Sequence, residues 1–155
     1  MSSYVNFYLR VNDVFAPIGS YSRNSEIYKA IEHYSIYGKI IPLKYDMIKS
    51  ILEDIEQSIS NVQATIQKDN ETCHLVMSSQ NSLAEKLDTI HTIKDGIADA
   101  YKLIEELQFA YALFHIYEDI LDEIEYGLKA VGTDSCHYIY FGIDACGTLE
   151  DIAHE

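Results

Sequence analysis

Apolar residues recur by threes and fours along two adjacent stretches of this chain, and the two series mirror each other. Backward from Met77 they are Val76, Cys73, Ile66, Val62, Ile59, Ile55, Leu52 and Ile48. Forward from Asn81 they are Leu83, Leu87, Ile90, Ile93, Ile97, Tyr101, Ile104, Leu107 and Tyr111. That step is the seam spacing of a coiled coil. Counting outward from the centre pairs Val76 with Leu83, Val62 with Ile97, Ile55 with Ile104 and Ile48 with Tyr111. Such a mirror predicts an antiparallel hairpin of two long helices. Ser82 followed by Glu85 forms a capping box that starts the second helix, and the first begins near 43–45. At 1.5 Å per residue the hairpin projects about 50 Å.

The flanks read differently. Tyr4–Val11 alternates, with Val5, Phe7, Leu9 and Val11 on one face. Asn12-Asp13 supplies a two-residue turn. On the return strand Val14, Ala16 and Ile18 fall opposite Val11, Leu9 and Phe7, and Pro17 marks that strand as an edge. Asn24 or Ser25 caps a short helix carrying Ile27, Ala30, Ile31 and Tyr34 on one side. Ile40–Pro42 adds a short extended piece, and 137–143 alternates as a further strand. Beyond Tyr111 the second long helix grows more apolar, with Leu113, Phe114, Ile116, Tyr117, Ile120, Leu121, Ile124 and Leu128 in two stripes. One stripe is expected to meet the sheet, the other a second copy of the chain, with Phe109, Leu113, Ile116 and Ile120 as the interface.

The expected fold is therefore α+β and mainly α, in a single domain. A head (1–42 and 112–146) holds a small antiparallel sheet, built from the N-terminal β-hairpin and the C-terminal strand, with a short helix. A coiled-coil helical hairpin (43–111) projects from it, and an acidic tail (147–155) is expected to fray. The length of 155 residues and an apolar content of 48% suit one packed core. No apolar run reaches a membrane span, and no secretory signal is apparent. With three sparse cysteines, these features point to a cytoplasm.

Charge is unevenly spread. Residues 1–50 carry six Lys/Arg against four Asp/Glu, and residues 51–155 carry five against twenty-one. Direct nucleic-acid binding, which needs clustered cations, is not expected. A basic protein partner is, steered by the field of Glu53, Asp54, Glu56, Glu105, Glu106, Glu118, Asp119, Asp122, Glu123 and Glu125. The competing explanation of these acids is a solvated face. By the mirror pairing, Glu53, Asp54 and Glu56 should lie near Glu105 and Glu106. The few cations near the head, Arg10, Arg23 and Lys29 among them, are candidates for a phosphate-bearing ligand.

Chemistry-bearing patterns are sparse. Cys136, His137, Cys146 and His154 lack the close pairing of zinc ligands. No Glu-x-x-His repeats on facing helices, although Asp88 and His91 come near it. Asp69 and Lys94, beside the seam, read as a register-fixing polar contact or as partly exposed. No nucleophile elbow or phosphate-cradling loop occurs. His115 lies one turn from Glu118 and Asp119, the spacing of a surface ion pair. No metal, cofactor or catalytic residue is expected. Thirteen tyrosines remain. Among them Tyr4, Tyr8, Tyr138 and Tyr140 share the outer strand face, either as cross-strand packing or as an interface.

Two terminal stretches carry a resemblance. Phe7-Tyr8-Leu9-Arg10-Val11-Asn12 leads to Pro17-Ile18-Gly19-Ser20-Tyr21-Ser22-Arg23. Tyr138-Ile139-Tyr140-Phe141-Gly142-Ile143 leads to Thr148-Leu149-Glu150-Asp151-Ile152. Together they resemble short phage-encoded accessory proteins, which share such ends around a variable helical middle. The resemblance implies a phage product acting in a bacterial cytoplasm, where many small acidic phage proteins inhibit host machinery or immunity by binding it. On that reading the chain is a non-enzymatic, oligomeric inhibitor of a host or defence protein. The alternatives are a sponge for a nucleotide signal and a structural or assembly component of a phage.

Overall fold

The computed structural model describes residues 3–130 and 138–152. Strands β1 (Tyr4–Val11) and β2 (Val14–Ser22) form a hairpin, followed by helix α1 (Glu26–Ile31) and strand β3 (Ile40–Pro42). Two long helices follow, α2 (Tyr45–Met77) and α3 (Leu83–Ala130), and strand β4 (Ile139–Ile143) completes the set. The four strands make one antiparallel sheet in the order β2-β1-β4-β3. The α+β class, the small sheet and the long helical hairpin are thus as the sequence indicates. The strand expected from 137 begins at Ile139, with His137 outside the described residues.

Local chemistry sets the element ends. Asn12 takes a φ of 57°, the left-handed turn geometry asparagine tolerates. Ser25 caps α1, its Oγ accepting from the Tyr28 N–H at 3.1 Å. Ser82 Oγ accepts from the Glu85 N–H at 3.3 Å, the first half of the capping box.

The β-hairpin departs from the expected register. A bulge between Phe7 and Tyr8 places Gly19, not Ile18, opposite Phe7, and Ile18 is left 40% exposed. Close packing explains the glycine. A Cβ there would lie 2.9 Å from the Tyr21 ring and 3.3 Å from the Tyr117 hydroxyl. Pro17 sits at this bulge on the edge strand β2, where no ladder donor is needed.

The main core lies between the inner face of the sheet and the helices. Val5, Phe7, Ile139, Phe141 and Ile143 from the sheet meet Ile27 and Ile31 of α1, Ile48 to Ile55 of α2, and Leu107, Ala110, Phe114 and Tyr117 of α3. Phe7 is its aromatic centre, with ring centroids 5.1 Å from Tyr117 and 6.1 Å from Phe114. The expectation that α3 carries head-facing apolar residues beyond the stalk is met by Phe114 and Tyr117.

A second, smaller core covers the outer face. Tyr8, Phe15, Ile40 and Tyr140 cluster there with Ala145 and Ile152. The described part of the tail therefore does not fray: it folds back across the sheet. Ile152 bridges Ile40, the Tyr8 hydroxyl donates to the Ala145 carbonyl at 3.4 Å, and the Cys146 N–H donates to Asp151 at 2.8 Å. Gly147 turns the chain with φ +74°, and a Cβ there would come within 2.7 Å of the Tyr8 ring. Tyr8 and Tyr140 are consequently packing residues, while Tyr4 is exposed.

Along the stalk, Ile66, Ile97 and Ile104 are buried, with Val62, Ile93 and Ala100 against them. Nearer the tip Cys73 is still buried, whereas Leu83 and Leu87 at the start of α3 are 66% and 57% exposed. Tyr111 bonds Glu56, two turns nearer the tip than its expected partner Ile48. A pattern stepping by three and four is almost unchanged by a shift of one or two turns. It fixes which faces meet and leaves the stagger open.

Candidate interaction surface

Helix α1 packs against both long helices, and it decides how the acidic residues are grouped. Its Glu26 lines a cavity of about 470 Å³ against α3, together with Glu105, Glu106 and Phe109. The same Glu26 lines a smaller one of about 230 Å³ against α2, with Asp54, Ser58 and Lys29. The Lys29 ammonium lies 3.2 Å from the Glu26 carboxylate, so this pair is self-neutralised. Glu53 is exposed, and Glu56 accepts from Tyr111. Of the acids expected to face one another across the stalk, Asp54 of α2 and Glu105 and Glu106 of α3 lie beside α1, whereas Glu56 meets Tyr111 of α3.

Farther along α3, His115 Nδ1 lies 3.4 Å from Asp119. The His115 ring stacks on Tyr111 at a centroid distance of 6.2 Å. The hydrogen bond to Glu56 raises the Tyr111 pKa, with partial burial and the charges of Glu56 and Glu118 adding to it. His115, Glu118 and Asp119 bring three ligand-type atoms within 4.8 Å of one another. The imidazole already faces the Asp119 carboxylate and the group is largely open to solvent, the surface pairing that the spacing indicated. Asp122 and Glu123 are exposed on the same helix.

The four expected interface residues divide in two. Leu113 and Ile120 are half-buried against the main core. Phe109 and Ile116 are 59% and 53% exposed. Glu105, Phe109, Ile116 and Glu123 are spaced by four and seven, so they share one side of the helix, with Asp119 beside them. This side is therefore apolar at its centre and anionic at its edges.

The three cations considered for a ligand do not converge. Arg10 lies on the outer sheet face, its guanidinium 5.5 Å from the Phe15 ring centroid and 3.0 Å from the Tyr140 hydroxyl. Arg23 follows β2 at the other end of the sheet, where Ser22 pairs with Tyr4. Lys29 is engaged with Glu26 on the helical side. Of the cysteine–histidine set, Cys136, His137 and His154 lie outside the described residues, and Cys146 is exposed.

Two features of this surface escape the sequence pattern. One is Glu26, which completes the larger cavity only because α1 docks on α3. The other is Tyr117, whose hydroxyl is buried without a hydrogen-bond partner among the described residues. The Tyr21 hydroxyl lies beside it, off hydrogen-bonding geometry, and burial raises the Tyr117 pKa far above the ordinary tyrosine value, with Tyr21 adding to it. The bulge at Gly19 brings the two tyrosines together, and alternation alone does not foretell a bulge.

No family model, curated protein or solved structure matches the chain. Among the described residues, no helix is long and apolar enough to cross a membrane.

Proposed function

We propose that the protein is a non-enzymatic accessory product of the phage type that binds a basic host or bacterial-defence protein and inhibits it. The observation that carries this reading is the exposed aromatic ring of Phe109, set beside Glu105 and Glu106 in a cavity of about 470 Å³. Exposed aromatic residues ringed by polar groups are the usual anchors of protein recognition. The net charge of −14 selects a cationic partner and speeds its encounter. Among the described residues no charged side chain is buried.

The same helix side was expected to meet a second copy. In a twofold pairing each copy presents the same patch. Glu105, Asp119 and Glu123 would then face their own kind, so a basic partner fits the charge better. Salt separates the two cases. It weakens a complex between opposite charges and strengthens one between like charges. The test is affinity capture from the bacterial host at two salt strengths. Retention of one basic protein that elutes as salt rises is expected. Capture that is indifferent to salt, or of an acidic protein, contradicts the reading.

A further inference from the structure

The cavity between α1 and α3 has a more specific chemistry than a generally acidic face. Its base is apolar, made by Ile27, which is 2% exposed, and by the Tyr21 ring. Phe109, 59% exposed, forms part of the lining. Its rim carries Glu105 and Glu106, and among the described residues neither is engaged by a cation, unlike Glu26, which Lys29 holds. The two carboxylates without a counter-ion therefore favour a donor that is also a cation.

We propose that this groove receives an arginine side chain from a basic segment of the partner protein. A guanidinium is planar, carries only donors, stacks on aromatic faces and forks onto carboxylates. Those properties match Phe109 with Glu105 and Glu106 one by one. An ammonium satisfies the charge without the stacking plane. An uncharged apolar side chain satisfies the base and leaves two carboxylates beside it without a counter-ion. The inference rests on the reading of the protein as a binder of a basic partner, and it names the place and the side chain.

The test uses the full chain with a tetra-arginine peptide, blocked at both ends, followed by backbone amide NMR and calorimetry. The same peptide with citrulline in place of arginine is the uncharged control. Saturable shifts centred on Tyr21, Ser25, Glu105, Glu106 and Phe109 are expected, with no binding of the citrulline peptide. Phe109→Ala leaves the net charge untouched, so nonspecific attraction is unchanged by it. It is expected to weaken binding roughly fivefold, the scale of an exposed cation–π contact. Replacing Glu105 and Glu106 by Gln should weaken it further, whereas E118Q with D122Q, which removes as much charge elsewhere, should leave it within about twofold. Equal binding by F109A, or shifts centred on Glu118–Glu123, would overturn the groove and leave the basic-partner reading standing. Groove binding by the peptide, with no basic protein captured from the host, would uphold the groove chemistry and overturn the reading of the partner.

Discussion

The hydroxyl of Tyr111 donates to the carboxylate of Glu56 at 2.8 Å, joining α3 to α2 close to the main core. It is a direct side-chain bond between the two long helices, and its position reports their stagger. The bond also places an acid of α2 against an aromatic of α3.

Tyr111→Phe removes this bond and keeps the ring. Because both groups are near solvent, the loss should be small, about 0.5–1 kcal/mol. Urea unfolding of the variant checks it, with a lower midpoint and an unchanged slope as the expected result.

The stalk is unevenly built, and substitutions should expose this. Ile66 is 6% exposed in the seam cluster, so Ile66→Ala should cost about 2–4 kcal/mol. Leu83 belongs to the same sequence pattern yet is 66% exposed, and Leu83→Ser should change stability by no more than about 0.5 kcal/mol. Thermal unfolding of the two variants side by side distinguishes a seam that closes at Ile66 from one that closes to the tip.

That contrast shows how far the sequence can be read. Heptad spacing gives the two helices, their antiparallel sense and their facing sides, because those follow from periodicity alone. It does not give the stagger, since a shift of one turn preserves the pattern. Nor does it say that Leu83 and Leu87 are left exposed. The alternation of Tyr4–Val11 gives the inner face of β1 but not the bulge at Tyr8, which depends on Gly19 yielding room to Tyr21 and Tyr117. The acidic residues were visible as a cluster. The placing of Asp54, Glu105 and Glu106 beside α1 was not, because it depends on a six-residue helix docking through Ile27, Tyr28 and Ile31.

Tyr117 gives an alkaline signature. Burial raises its pKa in the folded chain, and Tyr8 and Tyr111 shift the same way. A raised folded-state value means that the folded chain holds the proton more tightly than the unfolded one. Stability from this source is whole below about pH 10, where an unfolded tyrosine titrates, and falls as pH rises beyond it. Tyr117→Phe should therefore flatten the loss above pH 10. At pH 7 it should add about 1 kcal/mol, because an orphan hydroxyl leaves the core. Unfolding curves at pH 7 and 10.5 measure both effects.

Gly147→Ala should loosen the tail. The position has φ +74° and a Cβ would meet the Tyr8 ring at 2.7 Å, so the cost is about 1–2 kcal/mol. Hydrogen exchange should speed up at the amides of Cys146 and Ile152, whose bonds hold the tail to itself, while the Phe7 amide stays protected.

The most direct test of the proposed function is capture from a bacterial lysate with the wild-type chain and with a variant carrying F109A, E105Q and E106Q. All three positions are exposed, so the variant should fold as the wild type does, and its circular dichroism should show it. The account predicts that a basic protein is retained by the wild type at low salt, is released as salt rises, and is lost from the variant at every salt strength. Retention of the same protein by the variant, at the same salt dependence as the wild type, would contradict it.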